Sequence, residues 1–161
     1  MSDDVSDDVS NDVSHAVSHA VSRAAGPATP ADNVRVVQQL YAAFARRDIP
    51  AMLALLDPDV EWAEPANPFN PAGGTRRGHA GFLEWARTGN EAEEVLELVP
   101  QRFLTDAGAV AVTGFTRCRV RATGRTYATD FVHLAVLRDG RVVRFQEFFD
   151  TWAAAEAFRP A

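Results

Sequence analysis

Glu64, His133 and Glu147 are the side chains whose types and surroundings could do chemistry on a small molecule. Glu64 stands two residues after Trp62, so in an extended strand both point to one face and the carboxylate sits beside an aromatic ring. Burial disfavours the charged form of a carboxyl, and one pKa unit is worth about 1.4 kcal/mol. Modest desolvation therefore moves a glutamate toward neutral pH, where a general base works efficiently. The plainer alternative for Glu64 is an acid at a rim, facing water. His133 and Glu147 could protonate or hydrogen-bond an oxygen on which charge develops. Their plainer roles are a hydrogen-bonded histidine of the core or of a subunit face, and a salt-bridge partner for Arg117 or Arg119. Arg117, Arg119 and Arg121 recur at period two and form a row on one strand face, either an outer face with ion pairs or an anion-binding wall.

Cofactor chemistry has little support. Cys118 is the single cysteine, and no glycine-rich phosphate loop is present. His15 and His19 have the i, i+4 spacing of helical metal ligands but no third ligand nearby, so neither metal nor cofactor is expected. The 161 residues, 47% hydrophobic and 24% charged, suit one globular domain. Of the net charge of -6, six acids against one base lie before residue 34, which leaves a nearly neutral body without a basic cluster. Nucleic acid and anionic membrane surfaces are therefore not expected partners. The acidic start lacks the pattern of a secretory signal, and no apolar run approaches a membrane span, so a cytoplasmic location is the expectation.

The elements that must position these residues begin after a repetitive tail. Asp3-Asp4-Val5-Ser6 is echoed in four-residue units as far as Ser22, with valine the one sizeable apolar residue in each, and Gly26 to Pro30 follows as a linker. We therefore assign residues 1–31 to a disordered tail and 32–161 to the domain. Asp32 is the predicted N-cap of a helix carrying Val36, Val37, Leu40, Tyr41 and Phe44 on one face. Asp48 caps a second, short helix through Leu56, which Asp57-Pro58 stops. A strand from Val60 to Glu64, a proline- and asparagine-rich rim loop to Gly74, and a third helix after Gly78 with Phe82 and Trp85 inward come next. From Val95 the period changes to two. Strands over 95–104, 109–121, 125–137 and 141–149 are joined by Asp106-Ala107-Gly108, Thr123-Gly124 and Asp139-Gly140, and Thr151 caps a final helix to Phe158. Helices first and an antiparallel meander after give an α+β fold whose curved sheet encloses a hollow.

Whether His133 and Glu147 share a face depends on register. A three-residue hairpin loop pairs Leu137 with Arg141 and sets Phe131 opposite Glu147 and His133 opposite Phe145. A two-residue loop sets Val132 opposite Glu147 and turns His133 outward.

Leu40-Tyr41-Ala42-Ala43-Phe44 leading to Asp48, Pro58-Asp59-Val60-Glu61-Trp62, Gly78-His79-Ala80-Gly81-Phe82, and Arg138-Asp139-Gly140-Arg141 through Glu147-Phe148-Phe149-Asp150 together resemble the SnoaL-like, ketosteroid-isomerase-related branch of the nuclear transport factor 2-like superfamily. The resemblance spans the domain and none of the tail. It implies a cone-shaped fold and commonly a homodimer through the outer sheet. It favours the register with Thr129, Phe131, His133, Phe145, Glu147 and Phe149 on the pocket face. Glu64 falls at the general-base aspartate of ketosteroid isomerases. Their donor tyrosine is matched by Leu40, with Tyr41 one residue on, and their donor aspartate by His133. Against limonene-type epoxide hydrolases, Glu147 matches one acid, while Thr116 and Cys118 replace the arginine and the second acid.

The expectation is a cofactor-free enzyme, with Glu64, His133 and Glu147 catalytic. It acts on a hydrophobic, polyketide- or terpenoid-like carbonyl compound by isomerisation or cyclisation. Tyr41, Phe44, Trp62, Phe69, Phe82, Trp85, Phe131, Phe145 and Phe149 line its pocket, with Phe69 either closing the mouth or exposed on a mobile loop. An epoxide hydrolase using Glu64 and Glu147 to activate water, or a non-catalytic binding or accessory protein, is the alternative.

Overall fold

The computed structural model describes residues 28–160. The repeats, His15 and His19, and the linker up to Pro27 lie outside the described residues.

Helix α1, Pro30–Ala45, starts earlier than Asp32 suggested. Thr29 is the N-cap: its hydroxyl accepts from the Asp32 N–H at 3.2 Å, and Asp32 Oδ2 accepts from the Thr29 N–H at 3.0 Å. This reciprocal pair satisfies two donors that a bare helix end leaves open, and Pro30 loses nothing at the first position because its missing N–H would have had no partner. Asp32 is thus the third residue of the helix. Asp48 caps α2, Ile49–Leu55, by accepting from the Ala51 N–H at 3.1 Å. Strand β1, Leu56–Glu64, follows at once, so Asp57-Pro58 lies within the strand and not between elements. A short strand that the loop composition concealed, β2, Gly74–Arg77, pairs antiparallel with β1 and leads into α3, Gly78–Ala92.

Strands β3, Glu93–Asp106, β4, Ala109–Val120, β5, Thr126–Arg138, and β6, Arg141–Phe149, form the expected meander. In α4, Thr151–Phe158, the cap is Asp150 and not Thr151, because its carboxylate reaches the N–H groups of both Trp152 and Ala153 at 3.0 Å. The sheet is larger than the meander. Its order is β2-β1-β6-β5-β4-β3, with β1 parallel to β6, in one curved, unclosed mixed sheet. That parallel pair sets Ala63 beside Gln146 and so brings the end of β1, where Glu64 sits, next to the part of β6 that carries Glu147.

Neither anticipated register of the β5–β6 hairpin is present. Arg138 pairs with Arg141 across a two-residue Asp139-Gly140 turn whose residues both have positive φ, 51° and 75°. A bulge then places one extra residue, Val143, in β6, and beyond it His133 pairs directly with Glu147 and Phe131 with Phe149. The turn alone would have faced His133 outward. The bulge restores the alternation, and Thr129, Phe131, His133, Phe145, Glu147 and Phe149 share the concave face.

The core lies between this face and α1, α2 and α3. Val37, Leu40, Met52, Leu56, Val60, Trp62, Phe82, Val110, Val112, Phe131 and Phe145 form one buried cluster. A second cluster joins Cys118, Val120 and Tyr127 to Ala154, Ala157 and Phe158 of α4. Among the described residues no helix is long and apolar enough to cross a membrane.

Gly114 on β4 permits the close approach on which the concave face depends. A Cβ there would collide with the ring of Phe131 and the carbonyl of Val99. Gly114→Ala should therefore destabilise the fold by about 1–3 kcal/mol through overpacking, measured by urea denaturation; an unchanged midpoint would show that Phe131 does not rest on this strand as described.

Candidate functional site

Glu64 ends β1 facing inward, 8% exposed, beneath aromatic rings. Trp62 stacks on Phe145 at 4.2 Å between centroids and leans on Trp85 at 4.7 Å and Phe82 at 4.9 Å. A carboxylate in such surroundings needs donors. Trp85 Nε1 on α3 donates to Glu64 Oε2 and Asn70 Nδ2 donates to Oε1, both at 2.6 Å. The loop holding Asn70 is itself ordered. Asn67 Oδ1 accepts from the N–H groups of Phe69 and Asn70 at 2.9 Å, Asn70 Oδ1 accepts from the Ala72 N–H at 2.9 Å, and the Arg76 guanidinium donates to the carbonyls of Ala72 and Pro71.

His133 and Glu147 face the same hollow. Tyr41 Oη lies 2.7 Å from His133 Nδ1, and His133 Nε2 lies 3.8 Å from Glu147 Oε2. The imidazole is sandwiched, stacked on Phe131 at 4.1 Å and edge-on to Phe145 at 5.2 Å. Neither arginine suggested for Glu147 reaches it: Arg117 pairs with Glu97 at 2.6 Å and Arg119 with Glu94 at 3.6 Å, on the outer face. Arg121 donates to the Asn90 carbonyl.

The cavity between these side chains has a volume of about 100 Å³. Of the residues expected in it, Glu64, His133, Glu147, Tyr41, Phe44, Trp62, Trp85, Phe131, Phe145 and Phe149 form its walls. Phe82 and Phe69 do not. Phe82, wholly buried, packs behind Trp62 and Trp85, while Phe69 turns to the second cluster, with the Arg159 guanidinium 5.7 Å from its ring. Neither closing a mouth nor projecting from a mobile loop describes Phe69.

Thr116 and Cys118, at the positions compared with the epoxide hydrolases, also line the cavity, and two further polar wall residues escaped the sequence reading: Glu93 and Tyr127. Tyr127 Oη donates to Glu93 Oε2 at 2.8 Å. Glu93 reads in the sequence as part of a solvated charge run with Glu91 and Glu94. Tyr127 was recoverable, since alternation along β5 puts it on the face of Thr129, Phe131 and His133. Asn70 was also missed, and its only signal is the pair of Asn-Pro steps in the loop. Among the described residues no group of three or more His, Cys, Asp or Glu is placed to hold a metal ion.

Comparison with known proteins agrees with this geometry. The family model described as SnoaL-like domain matches residues 37–145. An NTF2-like protein from Burkholderia xenovorans LB400 is 32% identical, with 82% of this chain and 99% of that one covered and a TM-score of 0.76. An NTF2-like protein of unknown function from Burkholderia pseudomallei K96243 is 32% identical over 80% of this chain and 98% of that one, with a TM-score of 0.72. TerC, co-crystallised with polyporic acid, is also 32% identical, over 79% of this chain and 98% of that one, with a TM-score of 0.70. No curated protein matches the chain.

Three carboxyls thus share one cavity without a cation in its walls. Burial raises the Glu64 pKa, while the Trp85 and Asn70 hydrogen bonds and the charge of Arg76 hold the rise back. Burial pushes Glu93 up to about 7 against the Tyr127 hydrogen bond, and the Glu64 charge adds to the rise. Glu147 is pushed furthest, by burial and by the charges of Glu64 and Glu93. Only the Trp62 indole opposes this, its N–H lying toward the carboxyl without closing a hydrogen bond. Of the three, Glu64 has the best hydrogen-bonded carboxylate, and Glu147 is the one most strongly favoured in its protonated form. Burial lowers His133 to about 3, so the imidazole is neutral, and it keeps Cys118 a thiol by raising its pKa to about 11. Burial also holds the Tyr41 and Tyr127 phenols protonated.

These shifts bear on stability. Between the ordinary value of 4.5 and about 7, folded Glu93 holds a proton that unfolded Glu93 has lost. Stability must therefore fall as pH rises through that window, and the loss is complete above the folded value. Glu64 and Glu147 act in the same direction, and His133 in the opposite direction between about 3 and 6.5. Glu93→Gln should lose less stability than the wild type between pH 5 and pH 8, by on the order of 1 kcal/mol in urea unfolding. Parallel pH curves for the two proteins would contradict the burial of this acid.

Proposed function

The chain belongs to the SnoaL-like domain family, and on that premise we propose that it isomerises or cyclises a hydrophobic, polyketide- or terpenoid-like carbonyl compound without a cofactor, with Glu64 as the general base. The observation that carries this reading is the Glu64 carboxylate, fixed by Trp85 and Asn70 inside an aromatic cavity that also holds the acid Glu147 and the neutral His133. In this scheme Glu64 takes a proton from the carbon next to the carbonyl, and the oxygen that gains charge accepts a hydrogen bond or proton from Glu147. If Tyr41 donates to His133 Nδ1, the neutral imidazole carries its proton on Nε2 and offers a second donor beside Glu147. Isomerisation returns the proton from Glu64 to another carbon. Cyclisation instead has the enolate carbon attack a second carbonyl, whose oxygen takes the proton of Glu147.

A cavity of about 100 Å³ suits the reacting ring of such a compound. Co-crystallisation of the 32% identical TerC with polyporic acid supports a small organic ligand for this chain as well. The pairing of two carboxyls also supports the alternative of epoxide hydrolysis, in which Glu64 activates water and Glu147 protonates the opening oxygen. A binding protein without turnover would use the same cavity.

Glu64→Gln keeps the shape and loses the base, so turnover of a cyclic enone or polyketide-type ketone found by screening should fall by about 10²–10⁴-fold while ligand binding persists. Unchanged turnover would sink the assignment. Trp85→Phe removes a donor that favours the ionised form of Glu64, so the acidic limb of the kcat/KM profile should move to higher pH.

The homodimer is proposed on a separate observation. On the outer face Val132 pairs with Phe148 and Val99 with Phe115, and Val99, Val132 and Phe148 are 46, 40 and 46% exposed. A second copy pairing sheet to sheet would cover this patch. Phe148→Glu should convert a dimer to a monomer in light scattering; a wild-type chain that is already monomeric would refute the proposal.

A further inference from the structure

The polar groups of the cavity fall into two sets. His133, Glu147 and Tyr41 form one, beside Glu64. Glu93 and Tyr127 form the other, joined by their 2.8 Å hydrogen bond. Tyr127 and His133 occupy the same face of β5 six residues apart, a contour of roughly 20 Å at about 3.3 Å per residue, with Thr129 and Phe131 between them. Side chains from both sets line the same cavity on the concave face of the sheet.

The Glu93–Tyr127 pair has no structural duty that explains its chemistry. Among the described residues Glu93 has no ion pair, and the β4 arginines are taken on the outer face by Glu97 and Glu94. Tyr127 occupies only one carboxyl oxygen, Oε2, and leaves Oε1. Glu93 is half-buried, and an apolar residue would fill the position without desolvating a carboxyl. Beside Glu147 the Trp62 indole N–H is a buried donor without a partner, on a side chain 3% exposed that lines the cavity. An acceptor supplied by a ligand would complete it.

We propose that Glu93 and Tyr127 form a second oxygen-recognition site, separate from the Glu147, His133 and Trp62 group, and that the cavity selects a compact ring carrying two oxygen functions. This rests on the reading of the cavity as a site for carbonyl compounds and narrows the substrate class. Protonated Glu93 donates from its free oxygen to the ligand's second oxygen, and Tyr127 holds the carboxyl in place. Glu93 is then a specificity determinant and Tyr127 a positioning residue. With burial holding Glu93 near 7, the donor form is present at neutral pH and below.

The test compares cyclohexanone with 1,4-cyclohexanedione by NMR titration of the full chain at pH 6. The dione should bind the wild type at least about tenfold more tightly, an advantage of about 1.4 kcal/mol. Glu93→Ala should reduce that ratio below about threefold and leave the cyclohexanone affinity within twofold, which also shows that the variant is folded. Glu93→Gln keeps a donor and should retain most of the advantage, while Tyr127→Phe should lose part of it. A dione that binds no more tightly than the monoketone, or a ratio indifferent to both Glu93→Ala and Tyr127→Phe, overturns this inference alone. If neither ketone binds the wild type, the carbonyl reading falls with it.

Discussion

A carboxylate enclosed by tryptophans must have its oxygens hydrogen-bonded, and much of this structure is organised around meeting that demand at Glu64. One donor comes from α3 through Trp85 and one from the loop after β1 through Asn70. Each brings its own requirements. Trp85 can reach Glu64 only if α3 packs against β1, which the contact of Phe82 with Trp62 enforces. Asn70 can reach it only if a loop rich in proline, unable to form regular ladders, is folded back by its own side chains and by the Arg76 guanidinium on its carbonyls. β2 then follows from the same loop, since its pairing with β1 carries Arg76 opposite Trp62. An acid at one position thus determines the packing of a helix, a loop and an edge strand.

The opposite wall depends on a single inserted residue. Asp139 and Gly140, both at positive φ, make the tight turn that right-twisted strands favour, and that turn by itself would give His133 the wrong parity. Val143 corrects it by one position, and bulges also add local twist, which suits a sheet that must curve around α1. Register and curvature are therefore met by one irregularity. It lies next to the site because a bulge re-aims whatever follows it in the strand.

Much of this was legible in the sequence. The helical spacing of Val37, Leu40 and Phe44, the alternation of β5 and the three turn signals determined the α+β order, since each is a local pattern with a local cause. Caps were less legible. Thr29 and Asp32 are both competent capping residues, and the capping box uses both, so the sequence alone does not say which comes first. The parallel β1–β6 pair and the Val143 bulge were not legible at all, because long-range pairing leaves no periodic trace in either strand. At the site, Glu64, His133 and Glu147 stood out by their aromatic neighbours in sequence. Glu93 did not, as its neighbours Glu91 and Glu94 are surface acids, and only the junction of α3 with β3 turns it alone inward.

The three acids gathered in this way lie too close to ionise independently. With no cationic residue in the walls, each charge raises the cost of the next, and the proton inventory is settled by which carboxylate is best hydrogen-bonded. Glu64 has two strong donors, Glu93 has one, and Glu147 has only the Trp62 indole facing it at a distance. That gradient favours the ionised form at Glu64 over that at Glu147, two side chains of one type within one cavity. The neutral His133 and the phenols leave it undisturbed, because burial keeps all of them uncharged. A ligand bringing its own negative charge would oppose every one of these groups, whereas a neutral oxygen meets donors that have no other partner. The chemistry of the site is therefore set less by the identity of its acids than by how unequally the surrounding fold solvates them.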